Sequence, residues 1–185
     1  MPPVAAPDPH PKETPVRTTQ RLAALAAAST LVLMTSGCAV ADLLGGADEP
    51  VRDASGEIVE AADADAFSIR VGDCLETTEA FAEATEVESV PTVPCGDPHD
   101  AEVYATTLLD DGDFPGDEAV AKKADELCYG EFEAFVGLPY EDSALDFTML
   151  YPSEQSWDLM DDREVVCILV DLDGGVTGSM AAAGR

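Results

Sequence analysis

From Phe67 onward, apolar and polar positions fall into short regular runs separated by turn residues. Ile69-Arg70-Val71 is a brief alternation leading into Gly72-Asp73-Cys74-Leu75, which reads as a short strand entering a turn. Thr77 to Glu86 is acidic and alanine-rich, a loop or one weak helical turn. Val87 to Val93 alternates up to Pro94-Cys95 and predicts a strand. Gly96-Asp97-Pro98-His99-Asp100 is turn chemistry. Ala101 to Leu109 alternates again, with Val103 and Ala105 on one face and Tyr104 and Thr106 on the other.

After a second loop, Asp110 to Gly116, the period changes to that of a helix. Pro115-Gly116-Asp117 supplies the start, with Asp117 as N-cap. Val120, Ala124, Leu127, Cys128 and Phe135 recur at helical spacing, and Gly137 and Pro139 end the run. Phe147 to Tyr151 predicts another strand. Val165 to Val170 is six apolar residues in a row, the pattern of a central strand buried on both faces. Asp173-Gly174-Gly175 reads as a hairpin turn, with Val176 to Met180 as its return strand. The order β-β-β-α-β-β-β has no βαβ alternation. It predicts an α+β fold, a small antiparallel sheet with one main helix packed on it.

The N-terminal third has a different character. Residues 1–16 are polar, with proline at positions 2, 3, 7, 9, 11 and 15, and offer nothing to a core. Arg17 and Arg21 then precede an uncharged run from Leu22 to Ala41. Basic residues, an apolar stretch and the small residues Ser36-Gly37 before Cys38 make a secretory signal that resembles a bacterial lipobox. The resemblance implies cleavage before Cys38 and a diacylglycerol on its thiol. Thr35 departs from it, standing where an aliphatic residue is usual. The same run, 20 residues long, also suits an uncleaved membrane anchor. Both readings put the rest of the chain outside the membrane. Residues 39–65 hold few large apolar side chains and read as a flexible acidic tether. The expected organisation is therefore a lead and signal over 1–37, the lipidated Cys38 with its tether over 38–65, and a folded domain over 66–185.

Charge narrows the function. The chain carries 38 acidic and nine basic residues, a formal charge of −29. Residues 1–37 hold three basic and two acidic residues, so their removal leaves −30. Such a surface repels phosphate backbones and excludes nucleic acid as a partner. It also disfavours direct docking on anionic lipid, leaving acylated Cys38 as the link to the bilayer.

There are five cysteines and no Cys-x-x-Cys. With Cys38 lipidated, four remain, an even number for an oxidising compartment. Cys74 and Cys95 flank an excursion between strand ends. Cys128 lies on the inner face of the helix and Cys167 in the most buried strand. These positions predict Cys74–Cys95 and Cys128–Cys167 disulfides.

Candidate chemistry is sparse. His99 is the only histidine outside the leader, with Asp97, Asp100 and Glu102 beside it. A general base would need a nucleophile from Ser89, Ser143, Ser153 or Ser156, and none lies in an elbow motif. A capping role for the ring after Pro98 explains His99 more simply. One histidine with carboxylates gives no recognised metal spacing. Asp110-Asp111-Gly112-Asp113 lacks the spacing and the closing Glu of an EF-hand. No metal or cofactor is expected. Trp157 with Asp162-Arg163 offers an exposed recognition patch, or else a core tryptophan beside an ion-paired arginine.

Read in order, Gly72-Asp73-Cys74-Leu75, Val93-Pro94-Cys95, Pro98-His99-Asp100-Ala101-Glu102-Val103-Tyr104, a helix bearing Cys128, then Pro152, Trp157, Asp162-Arg163, Cys167 and Thr177-Gly178-Ser179 resemble the actinobacterial septum formation family domain. The resemblance covers about residues 67–182. One departure is Asp161, where similar proteins often carry glycine before the Asp-Arg pair. The resemblance implies an exported, membrane-tethered protein linked to cell division, and it implies no catalytic residues. The expected function is a non-catalytic module on the outer membrane face that binds an envelope protein or wall component. His99, Asp100, Trp157 and Arg163 are its candidate binding residues. The alternative is an exported hydrolase with His99 as general base.

Overall fold

The computed structural model describes residues 49–77 and 87–185. Cys38, with the signal and the first part of the tether, and all but Thr77 of the loop or weak helical turn read at 77–86 lie outside the described residues. The fold is α+β, as the sequence pattern predicts. Six antiparallel strands form one curled sheet: β1 (Ala62–Asp65), β2 (Cys74–Leu75), β3 (Ser89–Val93), β4 (Ala101–Leu108), β5 (Asp146–Leu150) and β6 (Glu164–Val170). Their spatial order is β1-β3-β2-β4-β6-β5. One long helix, α1 (Asp117–Val136), packs on a face of the sheet, and a short helix, α2 (Glu154–Met160), precedes β6. Among the described residues no helix is long and apolar enough to cross a membrane.

Helix α1 buries Val120, Ala124, Cys128, Phe132 and Val136, a strict four-residue repeat that keeps one face on the sheet. Phe132, which the sequence reading left out of this stripe, is the largest fully buried side chain. Its ring meets Tyr104 edge-on at 6.2 Å and Tyr140 at 5.2 Å. Full burial of such a side chain contributes roughly 1.5–3 kcal/mol. Gly116, not Asp117, is the N-cap, with φ 98° and no side-chain cap. Asp117 and Glu118 sit in the first turn instead, where their charge suits the helix dipole. Gly137 closes the helix in the left-handed conformation at φ 81°, its N–H donating to the Glu133 carbonyl.

Strand β6 is an interior strand of the sheet. It pairs with β4 on one side and β5 on the other. Cys167 on β6 is bonded to Cys128 on α1, so helix and sheet are covalently joined. The second disulfide, Cys74–Cys95, links β2 to the turn after β3. Both match the pairing predicted from sequence.

Strand β4 departs from simple alternation. Val103 lies opposite Ile168 and Ala105 opposite Cys167, so two steps on β4 match one step on β6. This β-bulge puts both Tyr104 and Ala105 on the helix side, while Val103 stays with Ile168 in the core on the other face. The expected grouping of Val103 with Ala105 is therefore corrected. The bulge brings the buried Tyr104 hydroxyl to the Cys128 carbonyl, to which it donates at 2.7 Å. Burial above all, then the charges of Glu131 and Asp125, raises the Tyr104 pKa well above its ordinary value.

Three other expectations change. The stretch from residue 49, read as tether, is part of the fold. Ala62–Asp65 pairs along β3 through backbone bonds, with Ala64 fully buried. Arg52 clamps the Asp73 carboxylate with two bonds of 2.5 and 2.7 Å. The alternating run at 69–71 forms no strand, and the strand is Cys74–Leu75. Finally, Val176–Met180 forms no return strand on β6, because β4 and β5 already occupy both of its edges. The segment crosses the end of the sheet instead, and Val176 bridges only to His99.

Helix α2 also went unread. It starts at a capping box in which Ser153 and Ser156 each bond the other's backbone N–H. It ends at Asp161 in the left-handed conformation, φ 56°, a geometry that favours glycine.

Two outcomes follow from this packing. Replacing Cys128 and Cys167 together by alanine should cost roughly 4 kcal/mol, the chain-entropy figure for a separation of 39 residues. Calorimetry should show a matching fall in Tm, and an unchanged Tm would contradict the stapling role. Tyr104→Phe should cost about 1 kcal/mol near neutral pH. In the native protein the raised pKa means that the folded state holds a proton the unfolded state releases above about pH 10, so stability falls as pH rises from there. Urea titrations at stepped alkaline pH should find this slope reduced in Tyr104→Phe.

Candidate functional site

The four residues read as a binding set divide between two ends of the sheet. His99 and Asp100 precede β4, beside the end of β6, whereas Trp157 and Arg163 lie at the start of β6. The length of that strand separates them by about 20 Å.

At the far end, Trp157 is buried at 4% exposure. Its indole N–H donates to the Gly112 carbonyl at 2.9 Å, tying the acidic loop to α2. Arg163 lies over the indole ring, 3.7 Å from its centre, and pairs with Asp161. Phe114 packs edge-on against the same ring. This is a locked structural cluster, not an exposed recognition patch. The Asp110–Asp113 loop gives its Gly112 carbonyl to Trp157, and no set of three metal-ligating side chains gathers among the described residues.

The near end is built from the turn before β4 and the segment after β6. His99 is 2% exposed. Its backbone exchanges two 2.9 Å hydrogen bonds with Val176. Its Nδ1 sits 2.8 Å from the Asp97 carbonyl, which can only accept, so Nδ1 carries a proton. Nε2 is buried without a hydrogen-bond partner among the described residues. No serine is bonded to the ring. Ser153 and Ser156 cap α2, Ser143 donates to the Arg185 carbonyl, and Ser89 lies in β3.

Three neighbouring carboxylates are also buried. Glu102, at 1% exposure, accepts from the Ser179 hydroxyl at 2.7 Å and the Met180 N–H at 2.5 Å, which holds the crossing segment down. Asp100 accepts from the Thr77 N–H at 2.6 Å. Asp171 accepts from the Asp173 N–H at 3.0 Å and from the Arg185 guanidinium. Asp100 and Asp171 line a cavity of about 450 Å³ at this end of the sheet, together with Asp146, Asp173, Phe147 and Leu172. Sequence reasoning found Asp100 here. It missed Asp146 and Asp171, because no local spacing shows that residues 45 and more positions away in the chain meet at one sheet end.

What the arrangement can do follows from these partners. Buried acidic groups fix a turn and a crossing segment, and other carboxylates face an open cavity of negative charge. Such a cavity favours cationic groups and rejects anionic ones.

No curated protein and no solved structure matches the chain. The family model described as "Septum formation" matches residues 35–167. That span contains both disulfides, α1 and all six strands but for the last three residues of β6. The family description links the chain to cell division. On the strength of that match, the protein belongs to the septum formation family.

Proposed function

We propose that this protein is a membrane-anchored extracytoplasmic lipoprotein whose folded domain is a non-catalytic binding module serving septum formation. The family match carries the reading. Two disulfides support an oxidising compartment outside the cytoplasm. The signal-like run ending in Ser36-Gly37-Cys38 supports an acyl anchor on Cys38. The fold already includes Arg52, so the tether read over 39–65 is shorter than the sequence implies.

The buried His99 ring supports binding over catalysis. A general base must reach the proton it takes. The ring is enclosed, one nitrogen is held by the Asp97 carbonyl, and its neighbours are structural. The partner is an envelope protein or wall component of neutral or basic charge, since the domain's own acidity repels acidic ones.

Three measurements test this. Intact mass of the membrane fraction should give a chain beginning at Cys38 with added acyl mass, and Cys38→Ala should abolish both cleavage and acylation. A mature start elsewhere would sink the anchor. A fluorescent fusion should gather at the division site, and its deletion should delay septation. Even distribution with normal division would remove the septal role. Purified protein that hydrolyses wall material, and loses that activity in His99→Ala, would replace the binding module with an enzyme.

A further inference from the structure

At the β5–β6 end, one carboxylate of the cavity lining is already bonded to a guanidinium. Arg185 donates to Asp171, and Asp171 is one of the lining residues. The Arg185 carbonyl is in turn held by the Ser143 hydroxyl at 2.6 Å, and Gly184 N–H donates to the Val136 carbonyl at 2.9 Å. The segment is thus docked, yet Arg185 keeps nearly half of its side chain in solvent, at 46% exposure, while Asp171 is 6% exposed. The half-exposed arginine is the more accessible member of the pair. The carboxylate stays fixed by the Asp173 N–H.

Around that seat the chemistry suits a second guanidinium. Asp146 is aimed by the Tyr140 hydroxyl and the Phe147 N–H, both 2.8 Å from its Oδ1, which leaves Oδ2 without a partner among the described residues. Asp173 is exposed at the mouth. Phe147 and Leu172 give the wall apolar area on which a flat guanidinium can lie. Carboxylates held in position by other bonds lose little entropy when they bind. The cavity volume of about 450 Å³ far exceeds one side chain, so the backbone beside it has room as well.

We propose that this cavity is the partner site of the domain, that it takes an arginine side chain from an extended segment of a basic protein, and that Arg185 is an internal competitor for the Asp171 seat. The proposal deepens the binding-module reading and rests on it. Partner binding then requires Arg185 to move aside, and the apparent affinity is reduced by the fraction of time the seat is filled. Lysine would bind less well, because it offers no fork to match a carboxylate.

The test uses the full acylated chain in detergent. The probe is the peptide acetyl-Gly-Ala-Arg-Ala-Gly-amide, with citrulline in place of arginine as the uncharged control, followed by calorimetric titration at low salt. Arg185→Ala should bind the arginine peptide about ten-fold more tightly than the native chain, the factor expected if Arg185 fills the seat about nine-tenths of the time. The citrulline peptide should bind neither. Asp171→Asn should lose binding, and Asp173→Asn, at an exposed position, should weaken it several-fold without the risk of misfolding. Equal affinity in the native chain and Arg185→Ala, equal binding of citrulline, or no binding to any form would overturn the proposal. Those results are separate from the cellular ones. A protein that still gathers at the septum but ignores the peptide loses this site and keeps its function, whereas peptide binding by a protein absent from the septum would leave the site and remove the function.

Discussion

The structure depends on the join between α1 and β6. A single long helix on a small sheet buries one stripe of side chains, and that area alone gives a domain of this size a narrow margin. The Cys128–Cys167 bond makes the contact covalent at its centre, and the Tyr104 hydroxyl, brought round by the β4 bulge, satisfies the Cys128 carbonyl at the same point. Phe132 fills the space one turn further along and gathers the rings of Tyr104, Tyr140 and Phe147 around it. Once α1 is fixed in this way, β6 has no freedom to slip against β4 or β5. A one-residue shift would turn Cys167 away from the helix.

With the sheet held, the excess of negative charge is put to structural use. A buried carboxylate is stable only when it is hydrogen-bonded or ion-paired. Asp73 takes Arg52 and the Arg70 N–H, and so folds the first described residues against the sheet. Glu102 holds the crossing segment through Ser179 and Met180. Asp171 takes Arg185. Arg52 and Arg185 are thus committed to particular acids. Lys122 and Lys123 remain on the exposed face of α1, where pairs with Glu126 at 3.8 and 4.0 Å contribute little.

The two ends of the sheet consequently differ. The Trp157 end is closed by a cation on an indole ring and by an indole bond to a loop carbonyl. The Asp171 end keeps an open acidic cavity beside a half-exposed arginine. For a protein linked to septum formation, that is the end at which recognition of a basic partner is chemically favoured.

The sequence by itself determined the fold class, the helix, the buried central strand and both disulfides. Each of these rests on local periodicity or on which residues face inward, such as the Val165–Val170 run and the position of Cys128 on its stripe. The family was legible as well, in the order of short motifs that the match at residues 35–167 bears out. Tertiary structure alone decided the rest. Strand β1 has almost no apolar signal, because its backbone pairing with β3 holds it. The β4 bulge breaks alternation for the sake of one buried hydroxyl bond. Val176–Met180 could not join β6, whose edges were both taken. His99 and Asp100 were found from sequence, but Asp146, Asp171 and Arg185 were not, since their meeting depends on where distant strand ends come to lie. Periodicity reports which face a residue turns inward, and says nothing of which distant residue it will meet there.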